Sequence, residues 1–124
     1  MIVRAKVALI PIKKLHIFDA IHELESSRKK VAKLMIKTLY NMVDHAKQRD
    51  FNVLRLWVHG CIIGKTQRYK GVRYQAKGRG FREKRDFCQV KVILYEKPEQ
   101  EFLEEVATGR AAPGVANVLR FGLR

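Results

Sequence analysis

Apolar residues Val31, Leu34, Met35, Leu39, Met42, Val43 and Ala46 recur at i, i+3, i+4, i+7, which predicts an amphipathic helix over residues 28–49. Upstream, Ile17, Ala20, Ile21 and Leu24 follow the same spacing and predict a shorter helix. Ser26 or Ser27 offers a side-chain oxygen to cap the longer one. Residues 2–10 alternate instead, with Val3, Ala5, Val7 and Leu9 opposed to Arg4 and Lys6, the period of a strand with one wet face that Pro11 ends. After a break at Asp50-Phe51-Asn52, residues 53–63 alternate Leu54, Leu56 and Val58 with Arg55, Trp57 and His59. Residues 88–95 do the same, Val90, Val92 and Leu94 opposing Lys91, Ile93 and Tyr95. Together these elements predict an α+β fold in which a three-stranded antiparallel sheet is packed on helices.

The two later strands flank residues 64–87, GKTQRYKGVRYQAKGRGFREKRDF, which hold nine Lys or Arg between Lys65 and Arg85 and one acid, Glu83. With Val72 as its one aliphatic β-branched residue, this stretch cannot bury a core of its own. Anchored by an apolar strand at each end, it predicts a long protruding basic β-hairpin whose tip stands about 35 Å beyond the sheet. A two-stranded ribbon of that length is marginal in water, so an external surface must fix its direction. Gly78 and Gly80 around Arg79 supply the permissive backbone of a tip. Arg and Lys on both arms suit phosphates, and Tyr69, Tyr74 and Phe81 offer faces for unpaired bases. A second basic cluster, Arg28, Lys29 and Lys30 with Lys33 and Lys37, occupies the end of the long helix where the dipole disfavours cations, and so points to an external anion or a solvated face.

Chain length suits one modest core, and the formal net charge of +14 calls for a partner with dense negative charge. Nucleic acid fits; no apolar run approaches the ~18 residues of a membrane-spanning helix, and the start lacks the pattern of a secretory signal. Cys61 and Cys88 flank the basic stretch and could face one another across a hairpin, with two buried thiols the expected state rather than a disulfide. His59, Cys61 and Cys88 lack a fourth ligand or a CxxC pair for zinc, so no metal and no cofactor is expected. A small basic ribonuclease would use His16, His22, His45 or His59, but no spacing pairs two of them, and an enzyme is not expected. Residues 1–98 form one globular RNA-binding domain carrying the hairpin. Residues 99–124 form a C-terminal extension, acidic at first, with Phe102, Leu103 and Val106 at helical spacing and too few core residues to order without a partner.

At Ala76-Lys77-Gly78-Arg79, followed by REKRDFCQVKVIL, the sequence resembles the hairpin of the large-subunit ribosomal protein L-twenty-two family. Asp19-Ala20-Ile21, Leu24-Glu25 and the run from Ser27 to Ala32 resemble the segment that precedes the family's long helix, and Gly64 stands where its hairpin opens. The likeness covers residues 15–96. It implies a structural constituent of the large ribosomal subunit, with ribosomal RNA, neighbouring ribosomal proteins and the nascent peptide as partners and the hairpin reaching the polypeptide exit tunnel. It also implies RNA contacts from Lys65, Arg68, Lys70, Arg73, Tyr74, Lys77, Arg79, Arg82, Lys84 and Arg85, beside Arg28, Lys29 and Lys30, and a tunnel-facing tip of Gln75, Ala76, Lys77, Gly78, Arg79 and Gly80. The departures are a start too short for the family's first helix, Arg73-Tyr74-Gln75 without the tip proline, and Phe87-Cys88-Gln89 without the histidine. With the added C-terminal segment, this drift looks like a mitochondrial ribosome rather than a chloroplast or bacterial cytoplasmic one. The alternative without a ribosome is a free RNA-binding module.

Overall fold

The computed structural model describes residues 2–122. In chain order they form helices α1 (Ile2–Leu9), α2 (Ile17–Ser26) and α3 (Lys30–Gln48), strands β1 (Leu56–Tyr74) and β2 (Gly80–Glu96), and helices α4 (Glu99–Ala107) and α5 (Pro113–Phe121). Short 3-10 turns precede β1 and join the two strands. The architecture is α+β, and its sheet has two strands rather than three.

The N-terminal segment is the correction. Residues 2–10 are so uniformly apolar that a period of two and a period of 3.6 both fit. Packing selects the helix: Ala5, Ala8, Leu9 and Ile12 are buried at helical spacing, while Val3 and Val7 are left exposed. The two alanines let α1 lie close to its neighbours, and burial there overrides the strand preference of the valines. What remains of a third strand is one bridge, His16 against Trp57. Around it Lys14 N–H donates to Val58 O and Val58 N–H to Leu15 O, each at 2.9 Å. The start of the chain therefore holds a helix, where the alternation of residues 2–10 predicts a strand and the start is expected to be too short for the family's first helix.

His16 joins these pieces. Fully buried, it caps α2 by accepting the Phe18 N–H on Nδ1 at 3.2 Å, and its Nε2–H donates to Leu54 O at 2.8 Å. Both bonds are satisfied by the neutral ring with the proton on Nε2. Ser26 and Ser27 do not cap α3: Ser26 bonds back to Glu23 O, Ser27 is the C-cap of α2, and Lys29 occupies the uncapped N-cap of α3.

The helices cover the base of the hairpin, where Ile17, Leu24, Leu39 and Val58 are among the fully enclosed side chains. Cys61, Ile63, Val90, Val92 and Leu94 pack against this core from the strands. The change from Leu56 and Val58 to Cys61 and Ile63 is a change of parity, which a bulge makes possible: Val58 pairs with Leu94 but Gly60 with Ile93, so His59 is the extra residue. A second bulge, at Thr66-Gln67, separates the Lys65–Cys88 rung from the Arg68–Asp86 rung.

The extension also departs from expectation, because it orders against the chain itself. Lys97 holds Glu105 of α4 at 2.6 Å and stacks its ammonium 3.8 Å from the centre of the Trp57 ring. The Asp19 carboxylate on α2 accepts the Gly114 N–H at 2.8 Å, at the N-terminus of α5, where the helix dipole favours an anion. Val115 is buried beside it.

Candidate nucleic-acid interface

Past the second bulge the hairpin leaves the core. From Gly80 to Cys88, at about 3.3 Å per residue, it rises roughly 26 Å before the tip is added, somewhat short of the expected reach. The ladder stays in register up to the Tyr74–Gly80 rung, and the Gln75 N–H donates to Arg79 O at 2.8 Å to close the loop. Within that loop Lys77 and Gly78 both have positive φ, 63° and 68°. Glycine adopts this freely; Lys77 is held there by the turn. Gln75, Ala76, Lys77, Gly78 and Arg79 thus form the physical tip, and Gly80 begins β2.

Paired residues share a face of the ribbon, so the register sorts the candidate residues. The face continuous with the core carries Lys65, Arg68, Lys70 and Tyr74 from β1, with Arg82 and Lys84 from β2. The opposite, outer face carries Arg73 and Arg85. All eight are exposed. Two are already ion-paired: Arg68 Nε lies 2.5 Å from Asp86 Oδ1, and Arg85 Nη2 lies 3.1 Å from Glu83 Oε1. Exposed pairs of this kind are worth ~0–1 kcal/mol, so a phosphate can displace the carboxylate. Lys70, Arg82 and Lys84 make no ion pair among the described residues and stand on adjacent rungs of one face.

Arg28, Lys29 and Lys30 lie apart from the hairpin, at the start of α3, all exposed. Lys29 also has a structural bond, donating from Nζ to Val7 O of α1 at 3.3 Å. Sequence reasoning missed the two hairpin acids as partners. The signal was available: with Lys77 at the turn, Asp86 falls opposite Arg68, and Glu83 and Arg85 are two apart on one strand face.

The cysteines do not meet. Cys61 pairs with Val92 and Cys88 with Lys65, about 13 Å apart along the sheet, too far for a disulfide. Burial holds the Cys61 thiol pKa above its ordinary value, with Lys13 opposing. Among the described residues no group of three His, Cys, Asp or Glu is placed to hold a metal ion, and no helix is long and apolar enough to cross a membrane. A cleft of about 300 Å³ between the end of α3 and β2 is lined largely by Met42, Ala46, Phe51, Leu56, Leu94 and Tyr95. Its carboxylate, Glu96, is engaged by Arg55 at 2.7 Å and by the Asn52 N–H.

The family model for ribosomal protein L22p/L17e matches residues 4–95, which take in α1, the core and the whole hairpin. This chain belongs to the L22p/L17e family. The family is one of ribosomal proteins; in this chain the buried His16 is spent on capping and the His59 ring packs edge-on to Tyr95. The large ribosomal subunit protein uL22 of Koribacter versatilis is 30% identical over 101 residues, covering 77% of this chain and 60% of that protein. Those of Phenylobacterium zucineum and Caulobacter vibrioides are each 28% identical over 89 residues, covering 71% of both chains. The chain thus spans under two thirds of the first relative's length, and α4 and α5 lie beyond the family match.

Proposed function

We propose that this L22p/L17e protein is a structural constituent of the large ribosomal subunit that binds ribosomal RNA through its hairpin. The carrying observation is the row Lys70, Arg82 and Lys84 on one exposed ribbon face, without an ion pair among the described residues and joined to the core through the strands that bear them. Lys65, Arg68, Arg73, Tyr74, Lys77, Arg79 and Arg85 extend the contact along the arms and tip, and Arg28, Lys29 and Lys30 add a second contact at the start of α3. Phosphate binding needs only such placed cations, and ribonucleoprotein assembly fits a ribbon that cannot fold back on its own body.

The loop of Gln75, Ala76, Lys77, Gly78, Arg79 and Gly80 reaches furthest from the core, which supports an exit-tunnel position where a nascent peptide passes. Residues 1–98 are the RNA-binding unit and 99–124 the extension, and neighbouring ribosomal proteins are further partners of the chain. The missing tip proline and the helices beyond the family match support a mitochondrial ribosome; the bacterial relatives make the bacterial cytoplasmic ribosome the alternative. Tagged protein expressed in its source cells should sediment with the large subunit through a salt-washed gradient, in the organelle fraction. Recovery in light fractions alone would refute the ribosomal role, and recovery in cytoplasmic ribosomes would refute the organelle.

A further inference from the structure

The two faces of the ribbon differ in chemistry. Within residues 64–87 the core-side face presents four cations without ion pairs among the described residues, Lys65, Lys70, Arg82 and Lys84. The outer face of the same stretch presents one, Arg73, since Arg85 is engaged by Glu83, and it carries three aromatic rings in succession: Phe87, Tyr69 and Phe81. These are 52%, 57% and 55% exposed. Same-face positions repeat about every 6.6 Å, so the rings form a track along the ribbon rather than a cluster. Tyr74, grouped with Tyr69 and Phe81 from sequence, lies on the other face, while Phe87 joins them.

Two details show that the track is shaped. The Tyr69 ring lies across Gly71, where a Cβ would come within 2.9 Å of Cε1, so glycine is what lets the ring settle against the ribbon. Beside it the Arg85 guanidinium is fixed by Glu83 Oε1 through Nε at 3.2 Å and Nη2 at 3.1 Å. A ring settled against the ribbon beside a guanidinium is a stacking surface, and the ring has little rotamer freedom left to lose on binding.

Resting on the RNA-binding reading above, we infer that the outer face of the hairpin is a base-stacking track, on which Phe87, Tyr69 and Phe81 take unpaired RNA nucleobases while the core-side face holds phosphates. Single-stranded RNA is favoured over a protein partner because charged residues interleave with the rings: Arg85 sits opposite Tyr69, Glu83 lies on the rung between Tyr69 and Phe81, and Arg73 sits opposite Phe81. An apolar protein surface would have to desolvate them, whereas a strand of RNA sets bases over the rings and phosphates over the arginines.

The test compares binding of a mixed-sequence single-stranded RNA with that of an abasic ribose-phosphate strand of equal length, over a salt series, using the full chain. Tyr69→Leu/Phe81→Leu/Phe87→Leu should bind RNA about ten-fold or more weakly, with the salt slope and the abasic affinity unchanged. Tyr69→Phe should bind as the unaltered protein does, and Gly71→Ala, which displaces the ring, should weaken RNA alone. All three side chains lie outside the core, so thermal melting of the triple variant should match that of the unaltered protein. Undiminished RNA binding by the triple variant overturns the inference and leaves the RNA role intact, as does an equal loss on the abasic strand. If instead the variant keeps RNA binding but no longer joins the subunit, the track meets protein. Failure of the unaltered chain to bind either strand overturns the RNA reading itself.

Discussion

Replacing Lys70, Arg82 and Lys84 by glutamine together should weaken ribosomal RNA binding by about ten- to a hundred-fold at 0.15 M salt. The reason is counterion release. Each cation that neutralises a phosphate contributes ~0.7–0.9 to the slope of log affinity against log salt, so the triple variant should lose roughly two to three from that slope. These three are chosen because none is in an ion pair among the described residues and they occupy neighbouring rungs of one face. Replacing Arg68 and Arg85 instead should do less per residue, since each exchanges an existing carboxylate for a phosphate. Filter binding across a salt series checks both statements. A full-size loss for Arg68 and Arg85, or an unchanged slope for the triple variant, would show that the register-based choice of contacts is wrong.

His16→Ala should lower the unfolding free energy by roughly 2–4 kcal/mol, through loss of a helix cap and exposure of the Leu54 carbonyl to a buried site without a donor. Against a domain stability of ~5–15 kcal/mol this is a large share. His16→Asn keeps an acceptor for the Phe18 N–H and should recover part of it. The same residue makes stability depend on pH. Burial pushes the His16 pKa below its ordinary 6.5, and the Leu54 bond and the Asp19 carboxylate offset this only in part. Below pH 6.5 the unfolded chain therefore binds a proton that the folded chain resists, and stability declines as pH falls through that value towards the lower folded pKa. Urea denaturation at stepped pH should show this decline in the unaltered protein and lose that component in His16→Ala.

These expectations draw on parts of the molecule that were unequally legible in the sequence. The stripe of α3 could be read because only a helix puts Met35, Leu39, Val43 and Ala46 on one side. The hairpin could be read because its strands alternate at the base and its distal half has nothing to bury. The first segment could not: with apolar residues at nearly every position from Ile2 to Ile10, its local pattern is degenerate, and contacts with α3 and β1 decide the matter. The sheet lost its third strand for the same reason.

The bulges hid the face of only part of β1. A period-two count starting from Leu56 and Val58 misassigns the positions between the bulges, Cys61, Ile63 and Lys65. The second bulge restores the count, so Arg68, Lys70 and Tyr74 fall on the core-side face as counted. Tyr69 and Tyr74 differ in parity and Asp86 lies opposite Arg68 about Lys77, so both relations were legible once the turn was placed at Lys77. The C-terminal helices were misread as needing an outside partner because their anchors, Lys97 on Trp57 and Asp19 on Gly114, join positions far apart in the chain or across elements.

Amide hydrogen exchange across Gly64 to Phe87, in the free protein and in the assembled large subunit, tests the central claim most directly. Beyond the second bulge the free ribbon has only its own two-stranded ladder, and such a ribbon opens readily. The account predicts fast exchange there in the free protein, slow exchange at the base around Val58 and Val92, and strong protection of the whole hairpin within the subunit. Equal exchange of the distal half in both states would contradict it: fast in both would mean that no RNA surface covers the arm, and slow in both that the hairpin folds on its own.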